Sequence, residues 1–171
     1  TQAKFLLKRL RGAHYISTGL LLRQFAKKNN PIAKRVRAIL EKGFLTPGWL
    51  ASFMWMRELI EAVKESEPLL LDGAPRQVYE AELLDEVMTW QKRPLPVALY
   101  INIGPKEAEK RLLLRGRGDD TKQAIQHRIK FFYRDVIPMV KYYRKHKRLI
   151  IINGEQAPEK VWRDIKKALH I

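Results

Sequence analysis

Four short apolar runs constrain this chain most, because each ends in or beside a small polar residue and a long helical stretch follows it. They are "HYIS" from His14, "LLL" at Leu69–Leu71, "VALYINI" at Val97–Ile103 and "RLIIIN" ending at Asn153. Apolar, β-branched and aromatic content reads as buried strand. Strands that alternate with helices form βαβ units, so the expected fold is α/β, a parallel sheet covered by helices on both faces. In such sheets, ligands bind beyond the carboxyl ends of the strands. Asp72-Gly73, Asn102 and Asn153-Gly154 sit at those ends.

The helical stretches have recognisable limits. Gln2 to Leu10 stops at Gly12, and a second helix runs from Leu20, after Thr18-Gly19, to about Lys28. Pro31 opens a third that ends at Gly43. Pro47 enters a fourth reaching about Glu65. Tyr79–Trp90 and Pro105 to about Arg115 follow. After the break "GRGDD", Asp120 is placed to cap a long helix bent at Pro138, and Pro158 opens the last one.

A length of 171 residues suits a single domain with a real core, and no apolar run approaches the roughly 20 residues of a membrane span. With no cysteine there are no disulfides or thiolate metal sites, and the expectation is a soluble, cytoplasmic monomer. Lys and Arg number 34 against 18 Asp and Glu, a net +16 that favours polyanionic partners. Arg111 and Arg115 lie four apart on one helix, Arg117 follows in the break, and Arg128 comes about two turns into the next helix. These four guanidiniums are expected to converge, with Arg23 and Arg76 forming a second group near the strand ends. Arginine forks match phosphate oxygens. Asp119 and Asp120 are placed to pair with them. Asp72 reads either as a turn residue or as a carboxylate holding the waters of Mg²⁺. Several cations and a metal are the equipment of phosphoryl transfer. His14, His127, His146 and His170 lack metal-ligand spacing and read as surface or packing residues.

"TQAKFL", "HYISTGLLLR", "LLLDGAPR", "KRLLLRGRGDD" and "QHRIKFFYRDVIPMVKYY" together resemble the adenylate kinases, among the nucleoside monophosphate kinases. The resemblance spans essentially the whole chain in order. It implies a P-loop kinase-like three-layer core over 1–18, 69–115 and 120–171. It also implies a helical acceptor-binding insert over about 19–65 and a very short lid over about 115–120. ATP and AMP are the implied partners, Mg²⁺ the implied cofactor, and 2 ADP the product. Thr18, Gly19, Arg23, Phe44, Leu45, Thr46, Gly73, Arg76 and Glu80 match acceptor positions. Asp72 matches the carboxylate near Mg²⁺. Thr1, Arg111, Arg115 and Gln156 match ATP positions, and Arg115, Arg117 and Arg128 match the phosphate clamp, with Arg117 and Arg128 also reaching the acceptor.

The chain departs from the family pattern in four places. No GxxxxGK[ST] occurs, and Thr1 matches the threonine directly after that loop, so the expectation is a fragment of a longer protein. Loss of that central strand would leave unpaired edges beside it. Leu20 stands where an aspartate usually assists Mg²⁺, and Glu80 stands where a glutamine reads the acceptor adenine. Because a carboxylate cannot donate to the adenine ring nitrogen, Glu80 keeps a kinase for another monophosphate in view. The lid is only "GRG". An inactive nucleotide- or RNA-binding domain would account for the charge and the missing loop, but the six arginines and Asp72 argue against it. A chain extended ahead of Thr1 by a strand and GxxxxGK should turn over in a coupled ADP assay. The 171-residue chain should be slower by roughly 10³ or more, because this chemistry runs on positioned charge. Equal rates would defeat that expectation.

Overall fold

The computed structural model describes residues 1–64, 67–116 and 120–171. The four apolar runs are strands: β1 (His14–Ser17), β2 (Leu69–Asp72), β3 (Ala98–Asn102) and β4 (Leu149–Asn153). The helices are α1 (Gln2–Arg9), α2 (Thr18–Ala26), α3 (Pro31–Glu41), α4 (Gly48–Glu61), α5 (Val78–Trp90), α6 (Pro105–Arg115), α7 (Lys122–Phe131), α8 (Ile137–Lys145) and α9 (Pro158–Leu169).

Strand alternation builds three layers. Leu70 of β2, Leu99 and Ile101 of β3, and Ile150 and Ile152 of β4 all pack with Leu6 of α1 and Val161 and Ile165 of α9. The intervening residues turn the other way. Leu69 and Leu71 join Trp55 and Leu59 of α4 and Leu84 and Met88 of α5, while Ala98, Tyr100 and Leu149 meet Met139, Val140 and Tyr143 of α8. A period of two therefore sends each strand's side chains to helices on opposite faces. A fourth cluster, with Leu22, Val36, Leu50 and Met54, ties α2, α3 and α4 together.

The expected single sheet is corrected in one respect. Among the described residues, β1 pairs with β2 and β3 with β4, both parallel, giving two two-stranded sheets. They share the apolar layer under α1 and α9, yet no ladder joins β2 to β3. Among the described residues each of those two strands thus keeps one edge without a ladder partner, and neither contains a fully buried side chain.

Local chemistry corrects three boundaries. The second helix begins at Thr18, not Leu20: Ser17 is still extended at the N-cap, and the strand passes straight into helix. Thr121, not Asp120, caps α7, accepting from Ala124 N–H at 3.2 Å. Where a bend was expected at Pro138, the helix carries a π-helical turn over Phe132–Val136, and Pro138 follows directly in α8. The fourth helix ends at Glu61, and Glu65 lies outside the described residues.

Candidate active site

The register of β1 and β2 sets Ser17 opposite Asp72 at their shared carboxyl end. There the Tyr15 hydroxyl donates to Asp72 Oδ2 at 2.6 Å. Burial first, then this bond, raises the Tyr15 pKa and keeps it a donor, against the opposing charge of Arg23. Arg23 lies over Gly19, close to where a Cβ would stand. Tyr15 was not singled out from sequence, although its place in the strand carried the signal.

After β2 the chain turns at Gly73, whose φ of 81° favours glycine, and the Gly73 carbonyl accepts from Arg76 Nε at 2.8 Å. Glu80, only 2% exposed in the first turn of α5, accepts the Arg76 backbone N–H at 2.7 Å. Burial lowers the Arg76 pKa, and the nearby charge of Arg128 lowers it further, while Glu80 and Asp72 raise it. Burial likewise raises the Glu80 pKa, resisted by the Arg76 N–H and charge.

These groups border a cleft of about 830 Å³. Thr18, Phe44, Leu45, Thr46, Arg76, Glu80 and Arg128, all expected from sequence, line it together. The lining also includes Gln77, His127, Lys130, Phe131 and Arg134, which sequence reasoning did not assign to a site. His127 lines this cleft and stacks on Phe44, in keeping with its reading as a surface or packing residue. Its only sequence signal was adjacency to Arg128. His14, by contrast, is a packing residue between Glu58 (3.2 Å) and Glu67 (3.6 Å).

The expected convergence of four arginines holds only in part. Arg115 donates to both Asp120 oxygens, at 2.8 and 2.6 Å, and Arg128 Nη1 bonds the same carboxylate. Asp120 is buried between them, with its side chain 1% exposed. Arg111 leaves this group: it bonds Glu107 Oε1 one turn earlier at 2.6 Å and the Gly154 carbonyl at 2.9 Å. Arg117 and Asp119 lie outside the described residues.

Arg111 instead borders a second cleft of about 790 Å³ with Gly104, Lys110, Glu155 and Gln156. Glu155 Oε1 accepts from Gly104 N–H at 2.8 Å, and Gln156 donates to Asn153 O and Asp164. Gly154 is held by close approach, since a Cβ there would come within 2.9 Å of the Asn102 carbonyl and nearer still to Ile101 and Ile103. Thr1 is exposed and borders neither cleft; it only starts α1.

Two clefts rich in cations at the strand ends suit two phosphorylated ligands. The family model for adenylate kinase matches residues 1–148. The chain belongs to the adenylate kinase family. It is 32% identical to adenylate kinase 1 of Nostoc sp., over 99% of this chain and 91% of that one. Identity to an adenylate kinase of Prochlorococcus marinus is 35%, over 99% and 91%. To the adenylate kinase of Thermus thermophilus it is 31%, over 100% and 90%.

Within this family member, Asp120 is the group that holds two arginines of like charge side by side. Removing one partner of a buried pair is strongly destabilising. Both arginines keep some exposure, so Asp120→Asn should cost about 2–3 kcal/mol, below the range for fully buried pairs. Urea unfolding measures it, and a loss under about 0.5 kcal/mol would show that the pair is merely superficial.

Proposed function

We propose that the cleft between the 43–47 loop and α7 takes the acceptor monophosphate and the cleft beside Arg111 takes the ATP base. The reaction is the one family membership assigns, reversible phosphoryl transfer between MgATP and AMP giving two ADP. The observation that carries the site assignment is the meeting of Arg76 and Arg128 in a cleft floored by Glu80. Phosphoryl transfer asks mainly for position and charge, and fixed guanidiniums in a partly dry cleft supply both.

Arg76 and Arg128 hold acceptor and transferring phosphoryl oxygens, while Arg115 and Arg117 complete the clamp from the lid side. Arg23 and Gly73 bear on the acceptor phosphate, and the 44–46 backbone on its base. Thr1 is assigned to ATP on the resemblance alone. Asp72 is exposed at its strand end, with Tyr15 on one carboxylate oxygen, which suits a cation that keeps most of its water. Mg²⁺, when bound, supplies charge neutralisation on the phosphates. No helix among the described residues is long and apolar enough to cross a membrane; a cytoplasmic monomer is proposed on the family resemblance alone.

Glu80 gives the acceptor site a pH dependence. Adenine offers an acceptor at its ring nitrogen and a donor at its amino group. A protonated carboxyl matches both as a glutamine would, whereas a carboxylate matches only the donor. Because burial raises the Glu80 pKa, the protonated form persists to higher pH than in a free glutamate.

Two measurements test this reading. Arg76→Ala or Arg128→Ala should weaken AMP binding by roughly 10- to 100-fold, the worth of a lost charged hydrogen bond, while Lys147→Ala leaves it unchanged. Equal effects from all three would remove the cleft from consideration. AMP affinity should also fall by about tenfold as pH rises through the raised Glu80 value, with GMP gaining relative to AMP. Glu80→Gln should abolish that slope, so identical pH profiles for the two proteins would rule it out.

A further inference from the structure

The two clefts do not use up the positive charge of this chain, and much of it lies at the other end of the strands. Segments 8–13, 91–97 and 141–148 hold ten Lys and Arg and no Asp or Glu. Hydrogen bonds bring these segments to one face. The start of β1 is tied to the residue before β2, His14 N–H donating to the Pro68 carbonyl at 2.8 Å. Arg93, just past α5, bonds the carbonyls of Lys64 and Glu67. Ala98 N–H, at the start of β3, donates to Arg148 O at 2.9 Å, and the Arg148 side chain reaches Pro96 O at 2.9 Å. The C-terminal ends of α1, α5 and α8 therefore surround the amino ends of the strands. Strands β3 and β4 are five residues long, which sets this face about 15 Å from the carboxyl ends that border the clefts.

The acids nearby are occupied, Asp85 by Arg148 and Glu67 by His14. Among the described residues Lys92, Arg144, Lys145 and Lys147 make no ion pair, and all four are exposed. Helix dipoles favour cations at helix C-termini in general. They give no reason for Lys92 and Lys147, directly after the C-caps of α5 and α8, to take left-handed backbone with φ of 55° and 56°, where glycine or asparagine is usual. Nor do they explain the apolar surface that adjoins these lysines. Trp90 is 83% exposed, and Leu95 and Val97 in the following loop are 44% and 54% exposed. Pro94 and Pro96 alternate with those two, so the loop presents few N–H donors and loses little by leaving water.

We infer that this face docks on an anionic bilayer surface, with Trp90, Leu95 and Val97 entering the headgroup layer between the flanking lysines and arginines. A nucleic acid would engage the cations and the indole but has no use for two aliphatic side chains alternating with prolines. A bilayer uses all of them, since indole and aliphatic groups enter the interface while basic side chains lie against lipid phosphates. The chain rests on the surface without spanning it, and the clefts at the opposite strand ends stay open to nucleotide.

The test is co-sedimentation of the 171-residue chain with vesicles of pure phosphatidylcholine and of phosphatidylcholine mixed with phosphatidylglycerol. The chain should pellet with the mixed vesicles only. Each basic side chain near an anionic surface is worth about fivefold in affinity, so Lys92→Ala/Lys145→Ala/Lys147→Ala should weaken binding roughly 100-fold. Lys27→Ala/Lys34→Ala/Lys42→Ala removes the same charge from exposed positions elsewhere and should stay within about twofold of the parent. With brominated acyl chains in the vesicles, tryptophan quenching should be lost in Trp90→Ala although Trp49, Trp55 and Trp162 remain. Three results overturn the docking face: no pelleting with the mixed vesicles, equal losses from the two triple variants, or quenching that survives Trp90→Ala. A single-stranded oligonucleotide that the parent binds in place of vesicles, and the first triple variant releases, would also overturn it and assign the face to nucleic acid.

Discussion

Gathering guanidiniums in one place on a chain of net charge +16 works against electrostatics, and the site depends on how that repulsion is met. Two buried carboxylates meet it. Asp120 lies between Arg115 and Arg128 and bonds both, so its single charge faces two cations. Glu80 sits below Arg76, holding its backbone N–H and lying within reach of its charge. A buried guanidinium without such partners would keep its charge and be driven toward water. The acids are therefore part of the proposed phosphate site even where they would not touch phosphate.

The sheet provides the frame that makes those pairings possible. Parallel strands place all their carboxyl ends at one edge, which sets Asp72 at the end of β2 and Asn102 and Asn153, paired in register, at the ends of β3 and β4. The loop after β2 carries Arg76 and leads into α5 with Glu80, and the loop after β4 carries Glu155 and Gln156. Alternation along each strand then fixes the layers, and α6 and α7, which bear Arg111, Arg115 and Arg128, lie against each other.

How much of this was legible in the sequence follows from the range of the interactions involved. Strand positions and the helices with proline at their first turn were readable because their signals are local: apolar runs, period and Pro geometry. The grouping of Arg76, Glu80 and Arg128 was readable only through the resemblance, which brings distant segments together by analogy. Arg111 was misplaced because i,i+4 spacing fixes a shared helix face but not which neighbour each side chain then finds; Glu107 and the Gly154 carbonyl draw it away. Thr121 displaced Asp120 as the cap because two arginines outcompete one backbone N–H for a carboxylate. His127 was passed over because nothing local distinguishes a helical histidine that meets a phenylalanine from another segment.

Glu80 shows why a substitution that looks wrong by base recognition can fit by electrostatics. A glutamine there would satisfy adenine at any pH but would bring no charge to a cleft that also holds Arg76 and Arg128. A glutamate can bring that charge, and Arg76 does stabilise its ionised form; yet burial acts in the opposite direction and is the largest influence on it. Its carboxyl thus stands between two demands, ionised to balance the empty cleft and protonated to read adenine. An incoming monophosphate carries its own negative charge to the arginines, which removes the need for an anion at Glu80. On the proposed assignment, acceptor binding and proton uptake at Glu80 are linked, and the event that fills the phosphate site would also prepare the base site for adenine.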